Sequence, residues 1–261
     1  MIFAKKSLGQ NFLIDKNIVK KIISLTKIRN QNIIEIGPGK GALTDEILKK
    51  KPKSLKIIEK DFNLVKKLKL KYSKNKIVEI YNNDILKFDV EKITINNSTV
   101  FGNLPYNISS QILVKFLKFK KWPPQINNLI FMFQKELGEK IIGKYSSSGY
   151  GRLSILSNYR LTVLQKFLVS PNCFFPKPKI TSMVIHFQPK NKISHNIKEI
   201  NNLEKVTNIF FSNKRKMINK NIKKLLNNEQ IENITGLKVN LRPADIKPEI
   251  YYKITEIFEG K

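Results

Sequence analysis

The sequence predicts an α/β protein, in which helices cover both faces of a mostly parallel sheet and a small all-helical C-terminal domain follows. Between Asn32 and Gln134, short β-rich runs alternate with amphipathic stretches, a pattern typical of a parallel sheet wrapped by helices. Beyond Asn196 the chain reads as a series of short helices. With 261 residues and 41% apolar content, it can bury one substantial core beside a small second domain.

The first part of the chain supplies the parallel strands and the helices between them. The predicted strands are Asn32–Ile36, Ser54–Glu59, Ile77–Tyr81, Thr99–Gly102 and Asn128–Gln134. The predicted helices are Ala42–Lys50, Phe62–Tyr72 and Ser109–Phe119. This alternation of strand and helix is what favours parallel pairing over hairpins.

The middle of the chain is expected to extend the sheet. After helices at Lys135–Ile142 and from Arg152 onward, two strand-like runs, Val163–Val169 and Thr181–Phe187, are joined by a proline-rich loop and predict an antiparallel addition at the sheet edge.

A polar linker over residues 189–196 then separates a first domain, residues 1–190, from a helical domain, residues 197–261. The helices predicted in that second domain are Glu199–Ser212, Arg215–Asn227, Asn228–Thr235 and Glu249–Phe258.

The charge balance points to a polyanionic partner. The chain has 49 Lys and Arg residues against 20 Asp and Glu, a formal net charge of +29. Biased codon usage explains why Lys replaces Arg, but it does not explain the shortage of acids. RNA, DNA or an anionic membrane would each fit this charge, and nucleic acid is favoured.

Other classes of protein are disfavoured by what the sequence lacks. No apolar run approaches the roughly 20 residues of a membrane span, and the start lacks the apolar stretch of a signal peptide, so a cytoplasmic protein is expected. Cys173 is the single cysteine, and His186 and His195 are the two histidines. Neither an internal disulfide nor a metal site is therefore predicted.

A glycine-rich turn follows the first predicted strand, in the segment Glu35-Ile36-Gly37-Pro38-Gly39-Lys40-Gly41. Glycines permit a tight strand-to-helix turn and a close approach of ligand to backbone. The spacing is Gly-x-Gly-x-Gly, which differs from the dinucleotide fingerprint. It favours a Rossmann-like sheet that binds the methionine part of S-adenosylmethionine.

Two acidic residues strengthen this interpretation, because they stand at the ends of the next two strands. Glu59 is placed to accept hydrogen bonds from ribose hydroxyls, and Asp84 from an adenine amino group. Ligands of open α/β sheets bind at this carboxyl edge. Together with Gly37, these residues predict a nucleoside cofactor.

The segment Asn103-Leu104-Pro105-Tyr106, after the fourth strand, carries the predicted chemistry. An exocyclic adenine amine is a weak nucleophile. The Asn103 side-chain oxygen and the Leu104 carbonyl would accept hydrogen bonds from its N–H groups and direct its lone pair toward a methyl donor. Pro105 fixes the turn, and the ring of Tyr106 can stack on a base that has left its helix. The residues alone predict an amino-directed methyltransferase of nucleic acid.

With these motifs in hand, the chain resembles the KsgA family of small-subunit ribosomal RNA adenine dimethyltransferases almost end to end. The resemblance extends to segments 8–13, 134–136, 150–154, 174–180 and 241–245. It implies that Asn11 and Leu13, with Gly37, Glu59, Asp84 and Asn103, contact S-adenosylmethionine. It also implies that Phe174 stacks on the target adenine opposite Tyr106, with Phe175 as the alternative.

The same resemblance implies that a basic segment at the start of a helix, with Lys214, Arg215 and Lys216, approaches RNA. Residues 197–261 would then form an RNA-binding domain, and residues 1–190 the catalytic domain. Lys214 replaces a usual arginine, and Thr181 replaces a small polar or acidic residue. The implied substrate is a pair of adjacent adenosines in a hairpin near the 3′ end of 16S rRNA. A monomer would dimethylate them within the immature small ribosomal subunit.

Two alternatives remain open. The macrolide-resistance methyltransferases modify large-subunit rRNA with a similar core, but they usually carry Ser in place of Gly9 and Ile in place of Leu104, and they lack a match to residues 134–136. A non-catalytic ribosome assembly or transcription factor that kept the fold is the second alternative. Lost catalysis is disfavoured by the intact site residues Gly37, Glu59, Asp84 and Asn103.

Overall fold

A computed structural model describes residues 10–260 of the chain, which form two compact units. The sheet unit contains the described residues up to Gly138 together with Thr162–Pro189. The helical unit contains Glu139–Leu161 and the described residues from Lys190 onward. The division differs from the predicted domains, because residues 139–161 group with the C-terminal helices.

The secondary structure elements follow the predicted alternation. In chain order they are β1 (Phe12–Leu13), α1 (Lys16–Ile23), β2 (Asn32–Ile36), α2 (Ala42–Lys49), β3 (Ser54–Glu59), α3 (Phe62–Lys71), β4 (Val78–Asn82), β5 (Ser98–Asn103), α4 (Ser109–Leu117), β6 (Ile126–Gln134), α5 (Lys135–Ile141), α6 (Arg152–Arg160), β7 (Leu161–Val169), β8 (Phe174–Phe175), β9 (Ser182–Pro189), α7 (Ile200–Phe211), α8 (Asn219–Ile222), α9 (Asn228–Glu232) and α10 (Pro248–Glu259). The predicted strands β2 and β3 have the observed bounds, and the others shift by one or two residues.

The main sheet has seven strands in the order β4-β3-β2-β5-β6-β9-β7. Strands β2 to β6 pair in parallel, whereas β9 pairs with β6 in antiparallel register, with Leu129 opposite Phe187. The predicted antiparallel addition is confirmed. Because β2 to β5 run in the same direction, the loops after them meet at one edge of the sheet.

Successive side chains of a strand point to opposite faces of the sheet, so the hydrophobic core lies on both faces. On one face, Ile57 of β3 and Ile130 of β6 belong to the same buried cluster as residues of α1 and α2. On the other face, Phe131 of β6 lies 5.4 Å from Phe116 of α4, measured between ring centroids. Helices therefore cover both faces, as the sequence predicts.

Helix α1 was not among the predicted elements, although its signals are present. Asp15 caps its first turn by accepting hydrogen bonds from the backbone N–H groups of Asn17 and Ile18. Val19 and Ile22 are buried on its inner face. A carboxylate at the N-cap and apolar residues with helical spacing are the features that start such a helix.

The helical unit is organised around α7 and α10. The rings of Phe210 and Tyr251 pack edge to face with centroids 5.3 Å apart, and both side chains are fully buried. The prediction of a helix over Arg215–Asn227 is wrong, since that stretch contains turns and the four-residue helix α8. Its asparagines explain the difference, because their side chains compete with the helical backbone for hydrogen bonds. Among the described helices, none is long and apolar enough to cross a membrane.

Candidate active site

A cavity opens at the sheet edge where β2, β3, β4 and β5 end. Its empty space, with the open mouth included, is about 1170 Å³. Most of the predicted site residues line it: Asn11, Leu13, Gly37, Glu59, Asp84, Asn103, Leu104, Pro105 and Tyr106. Phe174, Phe175 and Lys214–Lys216 are not among its lining residues. The strand-end residues thus converge as the topology requires.

The turn between β2 and α2 requires glycine. Gly39 has φ +59°, and a Cβ there would lie 2.8 Å from the ring of Phe12. Gly41 has φ +86°, and a Cβ would lie 2.5 Å from the hydroxyl of Tyr72. Both backbone conformation and neighbouring side chains therefore exclude larger residues. The turn leaves its backbone open to the cavity, next to the first turn of α2.

Glu59, which is 8% exposed, ends β3 with a carboxylate side chain. Its Oε1 accepts a hydrogen bond from the backbone N–H of Asp61 at 2.8 Å. Burial raises the pKa of Glu59, and backbone hydrogen bonds from Asp61, Gly39 and Lys60 oppose that rise. The backbone around β3 therefore holds this acceptor in place beside the cavity.

Asp84 follows β4 and is held by two contacts. Its Oδ2 accepts a hydrogen bond from Lys60 Nζ at 2.8 Å, and its Oδ1 accepts one from the backbone N–H of Leu86 at 3.0 Å. The hydrogen bond from Lys60 is the main reason that the pKa of Asp84 is lowered. Asp84 is thus a fixed carboxylate at the cavity wall, and each of its oxygens keeps a second lone pair for a ligand.

Glu35 is a cavity-lining acid that the sequence prediction did not assign. Its side chain is 1% exposed, and Thr44 Oγ1 of α2 donates to its Oε2 at 2.6 Å. Within residues 10–260, no hydrogen bond reaches Oε1. Burial is the main cause that raises the pKa of Glu35 to about 8. A carboxyl inside the apolar run Ile33-Ile34-Glu35-Ile36 was the signal that could have identified it.

The side chain of Asn103 is oriented by the N-terminal segment. Its Nδ2 donates to the backbone carbonyl of Asn11 at 3.1 Å. No described residue donates to its Oδ1, so the oxygen is available on a side chain that lines the cavity. The adjacent Leu104 side chain is 1% exposed, and a Cβ on Gly102 would lie 2.5 Å from it. Tight packing therefore fixes the backbone that presents Asn103.

Tyr106 is half-buried at the cavity wall. Its backbone carbonyl accepts a hydrogen bond from Ser109 Oγ at 3.1 Å, and its phenol oxygen lies 2.6 Å from Ser182 Oγ. Burial raises the pKa of Tyr106. The ring is a neutral aromatic surface at neutral pH, which suits stacking against a base.

Phe174 and Phe175 differ in how far they are exposed to solvent. They form β8, which pairs with β1 so that Leu13 is opposite Phe174 and Phe12 is opposite Phe175. Phe174 is 2% exposed and belongs to the core cluster, whereas Phe175 is 63% exposed. In this conformation the preferred stacking residue of the sequence prediction is not accessible. Adjacent residues of a strand point to opposite sides, so the two rings cannot both face the core.

Lys214, Arg215 and Lys216 are exposed in a turn after α7 of the helical unit. Their contact with RNA stays a prediction, as does the absence of a metal site. Among residues 10–260, no group of three or more His, Cys, Asp or Glu side chains is arranged to hold a metal ion.

The family model and the relatives that match this sequence are all described as ribosomal RNA methylating enzymes. Residues 2–259 match the family model described as "Ribosomal RNA adenine dimethylase". A relative from Pelagibacter ubique, named ribosomal RNA small subunit methyltransferase A, is 44% identical over 257 residues, which cover 98% of this chain and 97% of the relative. A protein of the same name from Francisella tularensis subsp. novicida is 37% identical and covers 93% of each chain.

Solved structures confirm the predicted fold class. A dimethyladenosine transferase from Plasmodium falciparum superposes with a TM-score of 0.75 at 22% identity, covering 95% of this chain and 98% of that one. The 23S rRNA methyltransferase ErmE gives a TM-score of 0.70 at 22% identity, covering 95% and 100%. The near full-length match to the family model and the 44% identical relative settle the family. The chain belongs to the ribosomal RNA adenine dimethylases.

Proposed function

We propose that this protein transfers methyl groups from S-adenosylmethionine to N6 of two adjacent adenosines in a hairpin near the 3′ end of 16S rRNA. It acts in the cytoplasm, as a monomer, on the immature small ribosomal subunit. The observation that carries this proposal is the oriented amide of Asn103 beside a cavity with acceptors at successive strand ends. The names of the 44% and 37% identical relatives support the small subunit as target.

The residues present fit S-adenosylmethionine. Glu59 and Asp84 offer carboxylate acceptors for ribose hydroxyls and an adenine amine, and the Gly37 turn leaves backbone open to the cavity. Asn11 and Leu13 would close over the ligand from the N-terminal segment. When bound, S-adenosylmethionine supplies a methyl group activated by a sulfonium.

The proposed work of the chain is to position and polarise the adenine amine. In the first transfer, Asn103 Oδ1 and the Leu104 carbonyl accept hydrogen bonds from the two N–H groups of the amine, so that its lone pair becomes available for the methyl group. Each transfer ends with the loss of one N–H proton from the nitrogen to solvent. Pro105 restricts the backbone between them and Tyr106, and Tyr106 stacks on the flipped base. Holding a weak nucleophile in line with an activated methyl donor removes a large part of the barrier to methyl transfer.

Phe175 is the better candidate for a second stacking ring. Phe175 is exposed at the end of the β1–β8 pair, while Phe174 is buried. Burying an exposed aromatic ring against a base is favourable by about 1–3 kcal/mol. We therefore assign the stacking role to Phe175 in preference to Phe174.

The helical unit is proposed to bind RNA through Lys214, Arg215 and Lys216. All three are exposed, and the net charge of +29 gives the chain a strong attraction for phosphate. The predicted division into a catalytic domain, residues 1–190, and an RNA-binding domain, residues 197–261, remains part of this proposal. Residues 139–161, which group with the helical unit, would then support the RNA-binding side.

The test is methyl transfer from labelled S-adenosylmethionine to unmethylated small subunits, to naked 16S rRNA and to large subunits, with mass mapping of the products. Wild-type protein is expected to label two adjacent adenosines of 16S rRNA. Asn103→Ala is expected to lose at least about a hundredfold in rate, the usual effect of removing one preorganised polar group, and to bind RNA normally.

Asn201→Ala is the matched control, because Asn201 is exposed on α7. Label confined to the large subunit would overturn the assigned substrate and favour the macrolide-resistance alternative. Full activity of Asn103→Ala would overturn the assigned site. No transfer by wild type to any substrate would favour the non-catalytic alternative.

A further inference from the structure

Ser182 is a buried hydroxyl that contacts the proposed catalytic segment from a distant part of the chain. Its side chain is 0% exposed, and its Oγ lies 2.6 Å from the phenol oxygen of Tyr106, 76 residues earlier. Buried hydroxyls normally have a hydrogen-bonding partner. Here that partner is a ring that lines the cavity.

The contact fixes Tyr106 at both ends. The backbone end is held in a turn, because the N–H of Ile108 donates to the carbonyl of Pro105 at 3.1 Å and Ser109 Oγ donates to the carbonyl of Tyr106 at 3.1 Å. The phenol end is held by Ser182. A side chain tied at its root and at its tip keeps one χ1 rotamer, so the position of its ring is set.

The support for Ser182 is rigid. Ser182 is the first residue of β9 and stands opposite Gln134 in the antiparallel ladder with β6. Next to it, the backbone N–H of Lys135 donates to the carbonyl of Thr181 at 3.0 Å. Strand β9 lies inside the seven-stranded sheet, between β6 and β7. The hydroxyl therefore projects from the framework and not from a loop.

We infer that Ser182 is a positioning residue for methyl transfer, which acts by holding the ring of Tyr106 in the position that receives the target base. This inference rests on the proposed role of Tyr106. Stacking a flipped base on an untethered ring would also require that side chain to give up its other χ1 rotamers. Because the hydrogen bond fixes the ring before RNA binds, the flipped state becomes easier to reach.

An ordinary structural hydrogen bond would have different consequences. Loss of a purely structural contact would lower stability and affect every ligand alike. Loss of a positioning contact would lower the turnover of bound RNA, while affinities for cofactor and RNA stay the same. RNA affinity comes mainly from phosphate contacts, so base flipping contributes to kcat and hardly to KM.

The experiment measures kcat and KM on unmethylated small subunits, together with the Kd of S-adenosylmethionine, for Ser182→Ala, Tyr106→Phe and the double variant. Each single variant removes one partner of the same hydrogen bond. We expect each to lower kcat about three- to tenfold, the effect of one net hydrogen bond, with KM and Kd unchanged. The double variant should lose no more than either single variant, since coupled residues are not additive.

Ser157→Ala is the matched control. Ser157 is a buried serine of the helical unit whose hydroxyl makes no hydrogen bond within the described part of the chain, and its variant should keep wild-type kcat. The inference is overturned if the losses of the two single variants multiply, if Ser182→Ala keeps full kcat, or if its loss appears in the Kd of the cofactor.

Tyr106→Ala separates this inference from the proposed function. If Tyr106→Ala is inactive while Ser182→Ala is fully active, the stacking role stands and the positioning role of Ser182 falls. If Tyr106→Ala keeps full activity, the stacking role of Tyr106 falls, and the inference falls with it.

Discussion

Replacing Glu35 by glutamine should change how the stability of this protein depends on pH. The Glu35 carboxyl is 1% exposed, and burial raises its pKa from 4.5 to about 8, with the nearby Asp45 and Glu59 carboxylates adding to the effect. At neutral pH the native protein therefore holds this group in its neutral form. The unfolded chain, which is hydrated, releases the proton above pH 4.5.

The sign of the effect follows from proton binding. Between pH 4.5 and about 8 the native state binds one more proton than the unfolded state, so rising pH favours unfolding. Each pH unit is worth about 1.4 kcal/mol for one proton. Glu35 alone should therefore lower the unfolding free energy by about 5 kcal/mol across the full window. The contribution is complete below pH 4.5 and is lost as the pH rises to the folded pKa.

Urea unfolding at several pH values from 5 to 8.5 measures this effect. Glu35→Gln keeps the shape of the side chain and can still accept the hydrogen bond from Thr44, but it cannot ionise. The difference between variant and wild-type unfolding free energies should grow with pH over this range. Glu232→Gln, at an exposed position of α9, is the control and should follow the wild type. Parallel curves for Glu35→Gln and the wild type would refute the reasoning.

Three further predictions concern the binding surfaces. Glu59→Ala should weaken S-adenosylmethionine binding by about 1.5–3 kcal/mol, the worth of hydrogen bonds to a charged group, as measured by calorimetry. Phe175→Ala should lower kcat by about five- to 150-fold, the loss of about 1–3 kcal/mol of stacking. Phe174→Ala should instead cost about 3–5 kcal/mol of stability. RNA affinity should fall steeply with salt, and alanine at each of Lys214–Lys216 should reduce the salt slope by about 1 per lost phosphate contact.

Each of these three predictions would be contradicted by a specific result. An unchanged dissociation constant would remove Glu59 from the cofactor site. A folded Phe174→Ala protein that is inactive, beside a fully active Phe175→Ala protein, would show that the buried ring moves out to receive the base. An unaltered salt slope would place the RNA contacts elsewhere than Lys214–Lys216.

The parts of the fold that were predictable are those with local signals. Strands β2 and β3 have the predicted bounds because each is an apolar run closed by a turn or a charge. Their carboxyl ends meet wherever strands pair in parallel, so the meeting of Gly37, Glu59 and Asp84 required no knowledge of side-chain packing. Helix propensity was a poorer guide at Arg215–Asn227, where asparagines favour turns.

The parts that were not predictable depend on contacts between distant residues. Tyr106 and Ser182 are 76 positions apart, and Asn11 and Asn103 are 92 apart. No periodicity in the sequence links such pairs, because they are set by the order of strands and by the path of the N-terminal segment. Phe174 and Phe175 show the same limit, since two adjacent aromatics give no sign of which one faces the core.

The hydrogen bond from Asn103 to Asn11 ends on a main-chain oxygen. Any amino acid at position 11 offers that same oxygen, so orientation of the Asn103 amide should tolerate substitutions there as long as the backbone path is kept. The length of the chain between Asn11 and the cap at Asp15 is a stricter requirement. Inserting or deleting one residue in that stretch would displace the carbonyl and should lower activity by misorienting the Asn103 amide.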